Sequence, residues 1–205
     1  MEEANYLEYS ANQFKFPRSI FNSNKKRIVD KAIFLLKSNA KVLDAGCGSG
    51  LISCHLSKSY EVFGIDGNPD AINFCKKRYP ENKYYLMDLE KRLKFKSNYF
   101  DSILFIETIE HLVYPDIALK ELKRVLKKDG GFIITTPNYS SLKWRIAEKI
   151  WYPIFGGECQ PESGDVHPSK FTERKLIDII KKHFENFHTG TFNFGMWLFA
   201  ICYKG

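Results

Sequence analysis

Residues 41–50 read KVLDAGCGSG, and this stretch decides the fold predicted for the chain. Val42 and Leu43 are apolar residues of the kind that strands favour, and Asp44 ends their run. Three glycines follow at alternate positions: Gly46, Gly48 and Gly50. Apolar residues then recur at helical spacing: Leu51, Ile52 and Leu56. The stretch therefore predicts a strand, a glycine loop and a helix, with N–H groups of the loop exposed towards a ligand at the helix N-terminus.

The spacing of the glycines distinguishes between two classes of ligand. A dinucleotide-binding loop has the pattern G-x-G-x-x-G or G-x-G-x-x-A. Counted from Gly46 and Gly48, its last position would be Leu51 or Ser53, so the loop does not match. The pattern G-x-G-x-G, with Asp44 two residues before it, resembles motif I of the class I S-adenosylmethionine-dependent methyltransferases. An ordinary tight turn between a strand and a helix is the alternative, but it does not explain three glycines and an acid.

That resemblance implies a set of residues that contact S-adenosylmethionine. In the glycine loop the set is Asp44, Gly46, Cys47, Gly48 and Gly50.

Acidic residues also end the next two predicted strands, 61–66 and 83–87. The carboxyl ends of parallel strands meet at one edge of a sheet, so we expect Asp66 beside the glycine loop, where its carboxylate can accept both hydroxyls of a ribose. The resemblance implies that Gly67 contacts the cofactor too. It also implies that Asp88 and Leu89, after the next strand, meet the adenine ring. Asp88 equally suits a cap of the loop that follows it.

The remaining pattern predicts the fold class. A fourth strand spans 100–106, a helix spans 115–128 and stops at Gly130, and a fifth strand spans 132–136. A last helix starts at Thr172, and two strands, 187–194 and 196–203, follow it. We therefore predict an α/β protein with a doubly wound, mostly parallel seven-stranded sheet and a C-terminal antiparallel hairpin, a Rossmann-like methyltransferase fold.

The predicted domain organisation is a single methyltransferase domain over residues 1–205. Within it, residues 1–38 form an N-terminal arm and a helix. Residues 139–168 form an insertion after the fifth strand, where insertions in such folds commonly cover the methyl acceptor. Its aromatic and apolar residues favour a hydrophobic or aromatic acceptor. The alternatives are a helix that lies on a membrane surface, since Trp and basic residues occur together, and packing of the insertion onto the domain core.

The segment after the fourth strand contains the candidate catalytic residues. Glu107, Glu110 and His111 form the pattern E-x-x-E-H. It resembles the corresponding segment of the ubiquinone-biosynthesis O-methyltransferases, in the methyltransferase type 11 group, and that of small-RNA 3′-terminal ribose 2′-O-methyltransferases. That resemblance implies a divalent metal, and an oxygen-rich site with one or two imidazoles suits Mg²⁺ or Mn²⁺ better than Zn²⁺. His167, just before the last helix, is a candidate for a further ligand or base. The alternative is a site without metal, in which the Glu and His side chains cap a helix or line the pocket.

We predict that His111 and Glu107 face the methyl acceptor, and that Glu107 also contacts the cofactor. Methyl transfer from a sulfonium is an in-line displacement, which depends on alignment of donor and acceptor. A hydroxyl acceptor also benefits from a base that removes its proton.

Bulk composition limits the other functions. The 205 residues carry a net charge of +7, but the basic residues are scattered along the chain, so a nucleic-acid partner is not expected. The five cysteines form no C-x-x-C pair, and Met1 is followed by two glutamates rather than by a secretory signal. No stretch approaches the roughly 20 apolar residues of a membrane span. These features predict a cytoplasmic protein.

The predicted function is transfer of a methyl group from S-adenosylmethionine to a small molecule, at oxygen. One alternative is an RNA ribose 2′-O-methyltransferase, which E-x-x-E-H and the net charge favour. The other is a non-catalytic subunit that binds the cofactor and stabilises a partner enzyme.

Overall fold

A computed structural model describes residues 18–33, 36–147, 149 and 167–205. Seven strands form one sheet: β1 (Lys41–Ala45), β2 (Glu61–Asp66), β3 (Lys83–Leu86), β4 (Phe100–Ile106), β5 (Leu126–Pro137), β6 (Asn186–Phe192) and β7 (Trp197–Tyr203). The α-helices of this part of the chain are α1 (Arg18–Ile33), α2 (Pro69–Arg78), α3 (Pro115–Val125), α4 (Leu142–Ile146) and α5 (Glu173–Lys181).

The strand order confirms the predicted fold class. The order is β3-β2-β1-β4-β5-β7-β6, and β1 to β5 pair in parallel. The last strand, β7, lies antiparallel between β5 and β6, so β6 and β7 form the predicted C-terminal hairpin. From β1 the chain adds β2 and β3 on one side, and then β4 and β5 on the other side. The boundary between β1 and β4 is therefore the switch point, where ligands bind in sheets of this kind.

Helices cover both faces of the sheet, because the strands are apolar on both sides. Val29 and Ile33 of α1 pack with Val42, Leu104 and Ile133 on one face. On the opposite face α3 and α5 pack on the strands, and their contributions to that core are Ala118, Leu119, Leu122, Val125, Leu176, Ile179 and Ile180. Adjacent residues of β1, Val42 and Leu43, join opposite cores, as alternation along a strand requires.

The expected α-helix directly after the glycine loop is not present. Residues 51–53 form a turn, and a short 3-10 helix, Cys54–Lys58, follows. The bond from Leu56 N–H to the carbonyl of Ser53, three residues back, has the spacing of a 3-10 helix. Serines and a cysteine occupy this segment, and such residues favour an α-helix less than Ala or Leu does.

The expected helix over 115–128 ends earlier, at Val125. Leu126 is already extended, with φ −71° and ψ 137°, and it pairs with Phe100 of β4. Asp129 then takes a positive φ of 61°, and Gly130 and Gly131 belong to β5 rather than to a helix cap. The prediction was wrong here because pairing with β4 outweighs the helical preference of the lysines.

None of the described helices has the length and apolar character needed to cross a membrane. The predicted arm lies outside the described residues over 1–17. The predicted insertion lies outside them at residue 148 and over 150–166.

Candidate active site

The candidate active site lies at the carboxyl-terminal edge of the parallel strands. The glycine loop follows β1, Asp66 ends β2, Asp88 follows β3, and Glu107 follows β4. Thr135 and Thr136 at the end of β5 hydrogen-bond the glutamates that follow β4. Most of the predicted residues therefore meet at this edge, as the parallel arrangement of the strands requires.

The three loop glycines all adopt positive φ: 78° at Gly46, 48° at Gly48 and 69° at Gly50. Gly46 also needs its lack of a side chain, because a Cβ there would lie 2.3 Å from Cγ2 of Thr108. A Cβ at Gly50 would lie 3.1 Å from Sγ of Cys75. The loop is thus left-handed at its glycines and packed against the turn after β4 and against α2.

The N–H groups of the loop are largely used within the protein, contrary to the expectation that they face a ligand. Those of Gly46 and Cys47 both donate to the carbonyl of Ile65, at 2.8 and 3.0 Å. That of Gly48 donates to Asp66 Oδ2 at 2.9 Å, and that of Gly50 to the Cys47 carbonyl at 2.8 Å. A phosphate group is bound through free N–H groups, so this loop is unsuited to a pyrophosphate.

Asp44 lies buried at the start of the loop. Burial raises the pKa of its carboxyl to about 6, and the nearby charge of Asp66 acts in the same direction. Within the part of the chain that the structure describes, its Oδ2 has no hydrogen-bond partner. A buried acceptor of this kind fits a cationic group, which would satisfy the oxygen and favour its charged form.

The side chain of Cys47 points into the protein. Its thiol is buried, and a hydrogen bond with Cys75 together with burial raises the pKa well above the usual thiol range. Any cofactor contact of Cys47 would therefore come from its backbone.

Asp66 lies beside the glycine loop, as predicted. Its Oδ2 accepts from Gly48, and its Oδ1 accepts from the N–H of Asn68 at 2.8 Å. The next residue, Gly67, is exposed, and a Cβ added there would meet nothing within 4 Å. Open space adjoins the end of β2 as a result.

Asp88 is exposed at the start of the loop after β3. Its Oδ1 accepts from the N–H of Glu90 at 2.9 Å, and Lys91 pairs with its Oδ2 at 3.1 Å. The hydrogen bond from Glu90 and the pairing with Lys91 lower the pKa of Asp88. Asp88 thus caps the loop that follows it. Leu89 is buried in the core, so its side chain faces away from solvent.

Glu107 has a left-handed backbone, with φ 51°, and a side chain held from three sides. Its Oε1 accepts from Thr135 Oγ1 at 2.9 Å, and its Oε2 accepts from Trp197 Nε1 at 2.5 Å. Lys25 of α1 lies 3.2 Å from the same Oε2 and 5.5 Å from the centre of the Trp197 ring. These contacts join α1, β4, β5 and β7 at one point.

Glu110, His111 and His167 form a separate cluster. One ligand atom from each lies within 4.8 Å of the others, and Glu107 is not among them. Burial and the charge of Glu107 raise the pKa of Glu110 well above its usual range, although Thr136 Oγ1 donates to its Oε2 at 2.9 Å. The rings of His111 and His167 lie 4.8 Å apart between their centres.

Three residues of this site had no clear signal in the sequence. Lys25 lies in a run of basic residues, Trp197 in the last strand, and Tyr139 at the start of the insertion. Tyr139 meets Nδ1 of His167 at 2.5 Å. Each is brought to the site from a distant part of the chain, and no local motif records such contacts.

Comparison with known proteins agrees with the fold. The family model "Methyltransferase domain" matches residues 43–134. The ubiquinone biosynthesis O-methyltransferase of Pelagibacter ubique is 36% identical over 178 residues, covering 80% of this chain and 68% of that protein. The chain therefore belongs to the class I S-adenosylmethionine-dependent methyltransferases.

A second relative and a solved structure extend the comparison. The fatty-acid O-methyltransferase of Mycolicibacterium smegmatis is 34% identical over 115 residues, 52% of this chain and 41% of that protein. A SAM-dependent methyltransferase from Archaeoglobus fulgidus has the same fold, with a TM-score of 0.72 at 20% identity, covering 96% of this chain and 99% of that one.

Proposed function

We propose that this methyltransferase acts on a hydroxyl oxygen of a hydrophobic or aromatic small molecule. The observation that carries the choice of S-adenosylmethionine is the glycine loop, whose N–H groups at residues 46, 47, 48 and 50 are used internally. S-adenosylmethionine contains no phosphate, and its cationic groups suit the buried Oδ2 of Asp44. Oxygen as the acceptor atom is supported by the names of two relatives, both O-methyltransferases.

The cofactor-binding residues that we propose are those expected from the sequence. The loop would contribute Asp44, Gly46, Cys47, Gly48 and Gly50, while Asp66, Gly67, Asp88 and Leu89 would bind the nucleoside. Glu107 stays in this proposal as a cofactor contact. Its oxygens are already bonded to Thr135, Trp197 and Lys25, so proton removal belongs to His111 instead.

When bound, S-adenosylmethionine supplies an electrophilic methyl group on a positively charged sulfur that leaves readily. The protein must then align the acceptor and remove its proton. His111, which is partly exposed beside the buried Glu110, is proposed to take the proton of the acceptor hydroxyl as its oxygen bonds to the methyl carbon. The sulfur of the bound cofactor would keep the electron pair of the bond to the methyl group, and the His111 imidazole would hold the proton until it passes to solvent.

Aromatic side chains near the site support the proposed acceptor class. Trp144 is buried, and its ring centre lies 5.1 Å from that of Trp197 and 6.1 Å from that of Tyr139. Trp144 and Trp197 are buried, and Tyr139 is the partly exposed ring of the three, so it is the one placed to contact a planar or apolar acceptor.

A comparison of two acceptor types tests the role of His111. A phenol must lose a proton during transfer, whereas a carboxylate is already ionised. We expect His111→Ala to lower kcat for a phenolic acceptor by about 10²–10⁴, with little change for a carboxylate and none in the Kd of S-adenosylmethionine. The exposed His188 provides the matched control, His188→Ala. Equal turnover of the phenol by wild type and His111→Ala would exclude His111 as the base.

A divalent metal is a second candidate, because Glu110, His111 and His167 lie together. The metal would lower the pKa of an acceptor hydroxyl. The set has one carboxylate and two imidazoles. Of the Mg²⁺ and Mn²⁺ expected from the sequence it suits Mn²⁺ better, and it also suits Zn²⁺, which the sequence disfavoured. Metal analysis of the purified protein, and turnover after chelation and re-addition of each ion, test this. Full activity in the chelator, with no bound metal, would contradict it.

The other functions considered have distinct outcomes. An RNA acceptor would show retained RNA whose binding falls steeply with salt. A non-catalytic subunit would bind S-adenosylmethionine and methylate nothing in the acceptor panel. A cytoplasmic location stays a prediction, and fractionation of cells tests it.

A further inference from the structure

Tyr139 and His167 lie near the two ends of the predicted insertion, residues 139–168, and their side chains contact each other. The Tyr139 hydroxyl lies 2.5 Å from Nδ1 of His167, and the His167 side chain is buried. The N–H of Tyr139 donates to the carbonyl of Phe171 at 2.9 Å, and the Lys170 ammonium lies 5.9 Å from the centre of the tyrosine ring. The tyrosine is therefore held by the segment that carries the histidine.

The same segment is tied to the turn that carries the other two cluster residues. The N–H of Ser169 donates to the carbonyl of Glu110 at 3.1 Å, and its hydroxyl donates to the carbonyl of Leu112 at 2.8 Å. These bonds set the distance between the His167 backbone and the turn. These bonds do not determine the rotation of the His167 ring or the position of its proton. Contacts of the His167 side chain determine both.

A neutral imidazole carries one proton, on Nδ1 or on Nε2. A partner that accepts a proton from one nitrogen favours the form protonated there, and the other nitrogen then presents a lone pair. A tyrosine hydroxyl can either accept or donate, so the direction of its hydrogen bond sets the tautomer. Tyr139 is a partner at Nδ1. A ring nitrogen of His167 also lies within 4.8 Å of a ligand atom of Glu110 and of His111.

We propose that Tyr139 is a positioning residue for His167. Its hydroxyl oxygen accepts the proton of Nδ1–H, so that the Nε2 lone pair faces Glu110 and His111. This inference rests on the proposed function, because either role considered for His167, base or metal ligand, needs a lone pair at that place. The tyrosine acts through the histidine and does not itself touch the reacting atoms.

Nuclear magnetic resonance of the protein labelled with ¹⁵N at histidine tests the proposal without substrate or metal. In the wild-type protein we expect His167 to be a single tautomer with its proton on Nδ1, identified by the loss of its signals in His167→Gln. In Tyr139→Phe, which keeps the ring and removes the hydroxyl, we expect a mixture of tautomers. His183 and His188 serve as internal references and should not change.

Two results would overturn the proposal: a proton on Nε2 in the wild type, or an unchanged His167 pattern in Tyr139→Phe. Tyr203→Phe, on an exposed part of β7, is the matched control for loss of a tyrosine hydroxyl. Because this measurement needs no acceptor, it stands even if the proposed acceptor class is wrong.

A comparison of kcat in two backgrounds distinguishes a positioning role of Tyr139 from a purely structural one. Tyr139→Phe should lower kcat for a phenol on the order of tenfold in the wild-type background. In a His167→Ala background it should have no further effect, because the residue through which it acts is absent. Equal losses in both backgrounds would show that Tyr139 acts independently of His167.

Discussion

At the scale of single residues, the site depends on groups that are unusual in their backbone or their burial. Gly46 has a positive φ and no room for a side chain, while Asp44 is a buried carboxyl with one unpartnered oxygen within the described residues. Both lie in the stretch 41–50. The residue types were evident in the sequence, but their strain and burial come from Thr108 and from the strands on either side.

Gly46→Ala should destabilise the protein by about 1–3 kcal/mol or more, because the new Cβ meets Thr108 and the positive φ disfavours an L side chain. Urea unfolding measures the change. The control is Gly131→Ala, where the nearest atom to an added Cβ is 3.8 Å away, and there we expect a change within about 0.5 kcal/mol or a slight gain. Equal stability of the two variants would contradict the packing argument.

Asp44 should make the protein less stable as the pH rises. Its folded pKa of about 6 lies above the ordinary 3.8, so the unfolded chain loses this proton first. Ionisation of Asp44 has no effect on the free energy of unfolding below pH 4. Between pH 4 and 6 it lowers that free energy progressively, and above pH 6 the loss levels off at about 3 kcal/mol. The free energy of unfolding of Asp44→Asn minus that of wild type should therefore rise between pH 4 and 7.

The exposed Asp88 is the control for that experiment. Its pKa is lowered, so the effect of Asp88→Asn should run in the opposite direction and be small, because the group is exposed to solvent. If the difference in the free energy of unfolding between Asp44→Asn and wild type did not change with pH, Asp44 would not be a buried ionisable group.

At the scale of elements, the starts of α3 and α5 were predicted well, whereas the end of α3 and the helix after Gly50 were not. Asn68 and Thr172 cap α2 and α5, and each side-chain oxygen accepts from an N–H of the first turn. Such caps are local, so the sequence records them. The early end of α3 and the absence of an α-helix after Gly50 depend on pairing with β4 and on packing, which the local pattern does not contain.

Thr172→Ala should lower the free energy of unfolding by about 1 kcal/mol, because Oγ1 would no longer accept from the N–H of Lys175. Thr172→Ser keeps the oxygen and should cost a small part of that. Thermal and urea unfolding of the two variants give the comparison. If Ser and Ala cost the same, the cap does not contribute and the packing of the Thr methyl group explains the loss.

At the scale of the whole molecule, the site depends on elements far apart in the chain. Lys25 of α1 and Trp197 of β7 meet at Glu107, and Tyr139 and His167 meet beside His111. A bound cofactor should therefore stabilise the entire fold.

S-adenosylmethionine at 100 times its Kd should add about 2.7 kcal/mol to the stability, which raises Tm by roughly 5–11 °C for a chain of this length. A thermal melt with increasing cofactor measures it. NAD at the same concentration is the control and should leave Tm unchanged, because the loop N–H groups that a pyrophosphate needs are occupied. An equal rise with NAD would contradict the assignment of the loop to S-adenosylmethionine.

The sequence by itself determined the fold class, with its mostly parallel sheet and C-terminal hairpin, and the glycine loop after β1. These follow from alternation, apolar runs and glycine spacing over a few residues. It also placed Asp66 beside the loop. Only the tertiary structure decided that the loop N–H groups are used internally, that Glu107 turns to Lys25 and Trp197, and that Glu110 joins His111 and His167. The physical reason is that hydrogen bonds at the site join residues as far apart in the chain as Glu107 and Trp197, which are 90 positions apart. A pattern of neighbouring residues does not specify such distant partners.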